Sequence, residues 1–256
     1  MNVLSMFDLK GEKAIVTGGG QGIGKEIAFA LAEAGADIAL VQRHVEVAEK
    51  TAEEIMKLGR DSIAIKADVT EATDVKNMVN IAKERFGKID ILVNNAGIAQ
   101  RRLVLDMMED DWDMMLDTHA KGTFLCSQMV GREMVKQKKG NIINVSSMSA
   151  FIVNRPQEQA HYNTAKAAIV HFTKSLAMEW AQYNIRVNSI APGYIKTPMT
   201  KTSLGTEMVN EWLSLSPMGR VGDPSELKGA ALFLASQASS FVTGSIIVVD
   251  GGYTCW

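Results

Sequence analysis

The sequence predicts an α/β fold: one domain over residues 1–256, built on a doubly wound parallel sheet of about seven strands with helices on both faces. Short β-branched runs alternate with segments of helical periodicity along the whole chain. A cluster of glycines joins the first such run directly to the first helical segment. With 46% apolar and 22% charged residues over 256 positions, the chain can bury a sizeable core.

Taken in order, strand-like runs fall at 13–17, 37–42, 61–67, 89–93, 141–146, 185–190 and 245–250. Helical segments separate them at about 23–34, 45–58, 71–86, 109–137, 160–182 and 224–236. Strands spaced by helices need right-handed crossover connections, which make the sheet parallel and cover both of its faces. The five prolines interrupt none of the long helices. No internal repeat, low-complexity linker or second domain is read.

A formal net charge of −2, without a basic stripe or an acidic tail, points away from nucleic acid and anionic membranes. Cys126 and Cys255 are too few for a disulfide framework and fit a reducing compartment. Met1–Lys10 has no basic region followed by a long apolar core, and no run approaches the ~18 apolar residues of a membrane span. A cytoplasmic protein is expected, and no metal site is read. The 15 methionines sit mostly at helical spacing and read as core or interface filler.

The run Ala14–Thr17 enters Gly18-Gly19-Gly20-Gln21-Gly22-Ile23-Gly24-Lys25 and opens into a helical pattern at Glu26-Ile27-Ala28-Phe29-Ala30. Strand, tight turn and helix N-terminus gather unpaired backbone N–H groups and the positive end of a helix dipole, a place for a phosphate or pyrophosphate. Glycine is needed where the backbone turns with φ > 0 and where a ligand approaches closer than a Cβ permits. Gly19–Lys25 is nearly a P-loop, but Glu26 stands where a Ser or Thr hydroxyl should meet Mg²⁺, which argues against an NTPase.

The second strand ends at Gln42-Arg43. A dinucleotide fold places near here either an acid for the ribose 2′-OH or an Arg for a 2′-phosphate. With no carboxylate and a guanidinium at hand, NADP is favoured, and NAD stays possible. Asp68-Val69-Thr70 closes the third strand, with Thr70 suited to cap the next helix. Asp68 is either a second capping carboxylate or an acceptor for an adenine amino group. Asn94-Asn95-Ala96-Gly97 ends the fourth strand, where the amides either line the cofactor crevice or staple the loop.

Tyr162 and Lys166 stand four apart and share one helix face. A free tyrosine, with a pKa of about 10, is a poor acid–base at neutral pH, and a neighbouring ammonium is expected to lower it. The pair gains weight from lying just beyond the strand end Ser146-Ser147-Met148-Ser149.

In order and spacing, Thr17–Gly24, Asp68-Val69, Asn94–Gly97, Ser147, Tyr162-x-x-x-Lys166, Asn188–Gly193, Thr197 and Val249–Gly252 resemble the short-chain dehydrogenase/reductase family, with its Rossmann-like fold, over essentially the full length. The resemblance implies NAD(P)-dependent interconversion of a secondary alcohol and a ketone. Tyr162 would be the general acid/base, Ser147 would hold the substrate oxygen, and Lys166 would tune Tyr162 and bind the nicotinamide ribose. Cofactor contacts would come from Thr17, Gly18, Gln21, Gly22, Ile23, Gly24, Gln42, Arg43, Asp68, Val69, Asn95, Ala96 and Gly97. The Pro192-Gly193 turn, the Ile195 backbone and Thr197 would orient the carboxamide. It also implies a homotetramer formed through the long fourth and fifth helices and the C-terminal strand, with Phe233-Leu234-Ala235 and Tyr253–Trp256 as apolar surface.

Two positions depart from the family pattern. His119, in Thr118-His119-Ala120-Lys121-Gly122, stands where the family usually has an Asn that holds a relay water through its backbone carbonyl. His119 keeps that carbonyl, could exchange a proton itself near neutral pH, or has no proton role. The family's usual Ser-to-Tyr spacing selects Ser149, whereas alignment on the strand end selects Ser147, with a short insertion within 151–160. Ser147 is preferred because the strand fixes where the side chain emerges and a loop absorbs insertions.

That insertion is similar to one in fungal and bacterial sugar-alcohol dehydrogenases and ketose reductases, which implies a polyol or ketose of the mannitol, sorbitol, arabinitol or xylitol class. Asn154, Gln157, Gln159 and His161, with Ser149, would bring paired donors and acceptors to the pocket edge. The other wall would be Met199–Pro217, where the polar run Lys201–Gly205 precedes an amphipathic piece, Met208-Val209-Trp212-Leu213, as a substrate lid. Alternative substrates are 3-oxoacyl thioesters, aldonates such as gluconate, and steroids. From another class comes a cofactor-sensing binding protein with a dead site.

Overall fold

The computed structural model describes residues 2–201 and 206–256; of the polar run expected before the lid, 202–205 lie outside the described residues. Seven strands form one sheet: β1 (Lys13–Thr17), β2 (Asp37–Gln42), β3 (Ser62–Lys66), β4 (Ile91–Asn94), β5 (Gly140–Val145), β6 (Ile185–Pro192) and β7 (Ile246–Val249). All pairings are parallel, in the order β3-β2-β1-β4-β5-β6-β7. Each strand lies where the sequence places it, with ends moved by a residue or two.

Neighbouring side chains on a strand point to opposite faces, and here both faces are apolar. Ala14 and Val16 of β1 pack on one side with α1 (Gly22–Glu33), α2 (Val45–Met56) and α8 (Lys228–Ala235), through Ile27, Leu31, Ile55 and Leu234. Ile15 packs on the other with α3 (Ala72–Phe86), α5 (Gly122–Gln137) and α6 (Ala160–Trp180), through Met78, Val130 and Leu176. From β3 the chain returns across β1 to β4, so the winding reverses between β1 and β4 and opens a crevice at the carboxyl ends of the strands. Among the described residues no helix is long and apolar enough to cross a membrane.

Four local expectations are corrected. The single helix read at 109–137 is two, α4 (Glu109–Leu116) and α5, joined by a π turn at Asp117–Lys121. The Gly122 N–H reaches back to the Asp117 carbonyl, and a Cβ on Gly122 would lie 2.8 Å from Val69 Cγ2. Thr70 does not cap α3; Glu71 stands at that position without a side-chain bond, while Asp68 accepts from the Thr70 N–H and hydroxyl. The segment 224–236 begins as a 3₁₀ turn, Pro224–Leu227, with a capping box between Asp223 and Glu226. Finally, of the apolar surface expected for assembly, Leu234, Ala235 and Tyr253 are buried within the protomer, while Phe233 is half-buried and Trp256 is 80% exposed. The amphipathic piece at 208–213 lies in α7 (Glu207–Leu215), of which only Trp212 is fully buried.

Candidate active site

A cavity of about 890 Å³ runs along the carboxyl ends of β1, β2, β4, β5 and β6. At one end lie Gly18 and Gly22, with φ of +64° and +55° that a side chain would strain. Gln21 stands at the N-cap of α1 without a side-chain bond, and no acidic residue occupies the first turn. The first-turn N–H groups thus lack a side-chain cap at the positive end of the helix dipole, beside the cavity. This cradle fits the pyrophosphate of a dinucleotide, and Ile23, Ala96 and Gly97 line the wall that continues from it.

Thr17 and Gly24 build the cradle without lining it. The Thr17 hydroxyl accepts from the N–H groups of Asn95 and Ala96 at 3.0 and 3.1 Å and donates to the Val93 carbonyl, joining the ends of β1 and β4. A Cβ on Gly24 would come within 2.3 Å of the Gly18 carbonyl oxygen, so glycine lets α1 seat on the turn. Asn95 lines the cavity and staples the loop, its amide donating to the carbonyls of Thr17 and Gly18 at 3.0 and 3.1 Å. Asn94 is a buried staple on Ser127 and Asn144.

Gln42 lines the cavity and its side-chain oxygen Oε1 accepts from the Gly20 N–H at 3.4 Å. Arg43 is largely exposed, with its guanidinium 3.6 Å from the Asp68 carboxylate. Burial pushes the Asp68 carboxyl up, but the two Thr70 bonds and the Arg43 charge outweigh it and hold it below the usual carboxylate range. Asp68 thus holds Thr70, one residue ahead of the α3 N-cap Glu71, and does not cap the helix. Arg43, Asp68 and Val69 lie outside the cavity wall.

Beyond β5, Ser147 caps a 3₁₀ turn, Met148–Ala150, with its hydroxyl oxygen accepting from the Ser149 N–H at 3.1 Å. Its hydroxyl also bonds Ser149 Oγ, at 3.0 Å, and Tyr162. Burial raises the Tyr162 pKa above its ordinary value, and the Ser147 bond works against that. Lys166, one helical turn on, donates to the Val145 carbonyl at 2.9 Å, 5.6 Å from the Tyr162 ring centre. The expectation of an ammonium that depresses Tyr162 is not met in the protein alone. Lys166 is buried, and the loss of water pushes its amine down to about 7.

His119 sits in the π turn, fully buried and edge-on to Tyr162, with ring centres 5.4 Å apart. Its Nε2 lies 2.8 Å from the Ile98 carbonyl oxygen and 3.2 Å from the Ile98 N–H, while Nδ1 is buried without a partner among the described residues. Burial, then the charge of Lys166, holds its pKa well below the ordinary value, so the ring is neutral and not a protonated donor at neutral pH. A Cβ on Gly97 would lie 2.4 Å from His119 Cε1, so the glycine makes room for the imidazole.

Ser149, Asn154, Gln157 and Gln159 line the far end of the cavity. His161 does not: it is buried behind the wall, its Nε2 3.3 Å from Gln100 Oε1. The other wall comes from the loop after β6 and from α7, with Pro192, Gly193, Ile195 and Thr197 followed by Met199, Met208 and Trp212. Tyr194 was not singled out by sequence, although it directly follows Gly193. It stacks on Trp212 at 3.9 Å between ring centres and meets Tyr253 edge-on. An aromatic residue next to the Pro-Gly turn was the available signal.

A family model described as enoyl-(acyl carrier protein) reductase matches residues 18–254. A short-chain type dehydrogenase/reductase from Mycobacterium marinum superposes with a TM-score of 0.97 at 45% identity, each chain covered in full. The chain belongs to the short-chain dehydrogenase/reductase family. Within that family it is 44% identical to galactitol 2-dehydrogenase of Rhizobium johnstonii, with both chains fully covered. It is 46% identical to sorbose reductase of Candida albicans, over 99% of this chain and 91% of that one. An NADP-dependent mannitol dehydrogenase of Hypocrea jecorina is 43% identical over 98% and 96% of the two chains. A gluconate 5-dehydrogenase from Burkholderia cenocepacia, solved with NADP and tartrate, superposes with a TM-score of 0.95 at 37% identity, again over both full chains.

Proposed function

We propose that this dehydrogenase/reductase interconverts a sugar alcohol and its ketose, with NADP as cofactor. One observation carries this reading. A single cavity joins the uncapped N-terminus of α1, the Ser147–Tyr162–Lys166 group and an amide-lined wall formed by Asn154, Gln157 and Gln159. Polyhydroxylated substrates need paired donors and acceptors, because each buried unpaired group is costly. The relatives named for galactitol, sorbose and mannitol support the same class.

In this reading the bound nicotinamide supplies or takes the hydride. Gly18, Gln21, Gly22, Ile23, Asn95, Ala96 and Gly97 hold the dinucleotide from the cradle onward, and Pro192, Gly193, Ile195 and Thr197 face its reactive end. Gln42 and Arg43 take the adenosine ribose side, where Arg43 pairs with a 2′-phosphate. Ser147 Oγ holds the substrate oxygen, and Tyr162 gives it a proton in reduction. A phenol with a raised pKa keeps that proton at neutral pH. Lys166 positions the ribose and Tyr162, and His119 acts through packing against Tyr162. The protein works as a cytoplasmic homotetramer, assembled through the apolar side chains exposed on α4, α5 and α6.

The test is a panel of ketoses, polyols, aldonates and an acyl-thioester analogue, each with NADP and NAD cofactors, followed by reduced-nicotinamide absorbance. Turnover of ketoses and polyols, faster with the phosphorylated cofactor, is expected. Turnover confined to aldonates or thioesters would move the substrate class. Tight cofactor binding with no turnover would make the protein a cofactor sensor.

A further inference from the structure

Gln157 is held by two donors at once. The hydroxyl of Tyr194 and the indole N–H of Trp212, at 3.1 Å, both meet its side-chain oxygen. The orientation of a carboxamide is fixed by its partners, and an indole N–H can only donate. Gln157 must therefore turn its oxygen toward Trp212. Burial pushes the Tyr194 hydroxyl up, so it keeps its proton and donates as well.

The direction propagates. Because Tyr194 donates to Gln157, its oxygen accepts from Asn154 Nδ2 at 3.1 Å. The oxygen of Asn154 then accepts from Gln159 Nε2 at 3.1 Å, and the same nitrogen donates to Asn163 Oδ1 at 3.0 Å. Asn154 and Gln159 are nearly fully buried, so the network is not rearranged cheaply. Two groups remain without a hydrogen bond to any described residue: the Gln157 amide N–H pair and the Gln159 side-chain oxygen. Both residues line the cavity.

The geometry points to a divided role for Gln157: its oxygen locks the Tyr194–Trp212 wall in place, which leaves its amide N–H groups to donate to a substrate hydroxyl. Gln159 presents the complementary acceptor. The wall is a stacked aromatic pair, so the network fixes both an apolar surface for the carbon chain and the polarity of the hydroxyl contacts. Gln157 is in this sense a positioning and specificity-determining residue. The substrate half of the inference rests on the polyol/ketose reading; the lock does not.

Three variants separate the halves. Gln157→Glu keeps oxygens for Tyr194 and Trp212 but removes the N–H donors. It is expected to hold a wild-type melting temperature while KM for the ketose rises about tenfold, most of the change being in KM and not in kcat. KM for an analogue lacking the contacted hydroxyl should not move. Gln157→Met and Trp212→Phe each remove one side of the lock, and their losses of melting temperature should be non-additive in the double variant. An unchanged ketose KM in Gln157→Glu would overturn the substrate contact, and additive losses would overturn the lock. A wild type indifferent to the analogue's missing hydroxyl would sink the polyol reading together with the substrate contact, leaving the melting cycle to judge the lock alone.

Discussion

At the scale of single residues, burial decides more than adjacency. Lys166 is 4% exposed and its amine is pushed from 10.5 down to about 7. The unfolded chain holds that proton up to the ordinary pKa, so between the two values the unfolded state binds more protons, and stability due to this group rises with pH. Lys166→Met removes the effect. Its melting temperature relative to wild type should be highest at or below pH 7 and the difference should fade toward pH 10.5, as read by thermal denaturation in parallel buffers. A pH-independent difference would refute the buried amine. For the reaction, Ser147→Ala should lower kcat by about two to four orders of magnitude, as loss of a group acting on the reacting oxygen does, and Ser149→Ala by much less. The reverse order would move the role to Ser149. Arg43→Ala should weaken NADP binding about tenfold or more and NAD binding little, by titration with each cofactor. Equal losses would mean that Arg43 serves only its pair with Asp68. The residue types at these places were legible in the sequence, because spacing and strand ends bring them together. What spacing does not carry is access of water, which is why a lowered Tyr162 pKa was expected and a raised one is found.

At the scale of elements, periodicity located every strand and the helices that cover the sheet, since half-buried and buried faces leave a mark at each repeat. It did not see the π turn at Asp117–Lys121, because one wider turn barely disturbs a pattern of apolar positions. That turn carries His119 beside Tyr162, one of the two places where the sequence departs from the family pattern. Capping was the other blind spot: Asp68 turns back on Thr70, a choice between neighbours that both fit the role. Helix contacts at the centre of the fold are tighter than the pattern suggests. Gly131 of α5 lies against Trp180 of α6, and a Cβ there would come within 2.1 Å of the indole. Both flanking helices are anchored in the core, so the ring has to shift. Gly131→Ala gains helix propensity of about 1 kcal/mol but overpacks by roughly 1–3 kcal/mol, so a net loss of stability is expected. A rise in melting temperature would show that α5 and α6 separate easily.

At the scale of the molecule, the cavity collects residues from Gly18 to Trp212, and only the parallel winding explains how they meet. The sequence told which strand ends would converge, but not that Tyr194 and Trp212 would stack over the insertion loop, since that contact joins two connections of irregular shape. The outer faces pose a separate question. Trp112 and Met114 of α4, Phe124 of α5 and Met178 of α6 are all at least 40% exposed. Phe124 meets Phe172 of α6 edge-on, with ring centres 6.5 Å apart, so apolar surface continues from one helix to the next. Large side chains left in water on adjoining helices suit the proposed contact surface, and a two-fold axis would bring each helix pair against its own copy. Because the same patch then occurs on both sides of the interface, one substitution acts twice. Phe124→Glu would bring two carboxylates into that contact, each without a partner, and buried unpaired charge costs far more than the apolar area lost. The wild type is expected at the mass of a tetramer by light scattering, and Phe124→Glu at a smaller mass with its melting transition still cooperative. A monomeric wild type would refute the assembly, and an unshifted tetramer in Phe124→Glu would move the interface away from α5 and α6.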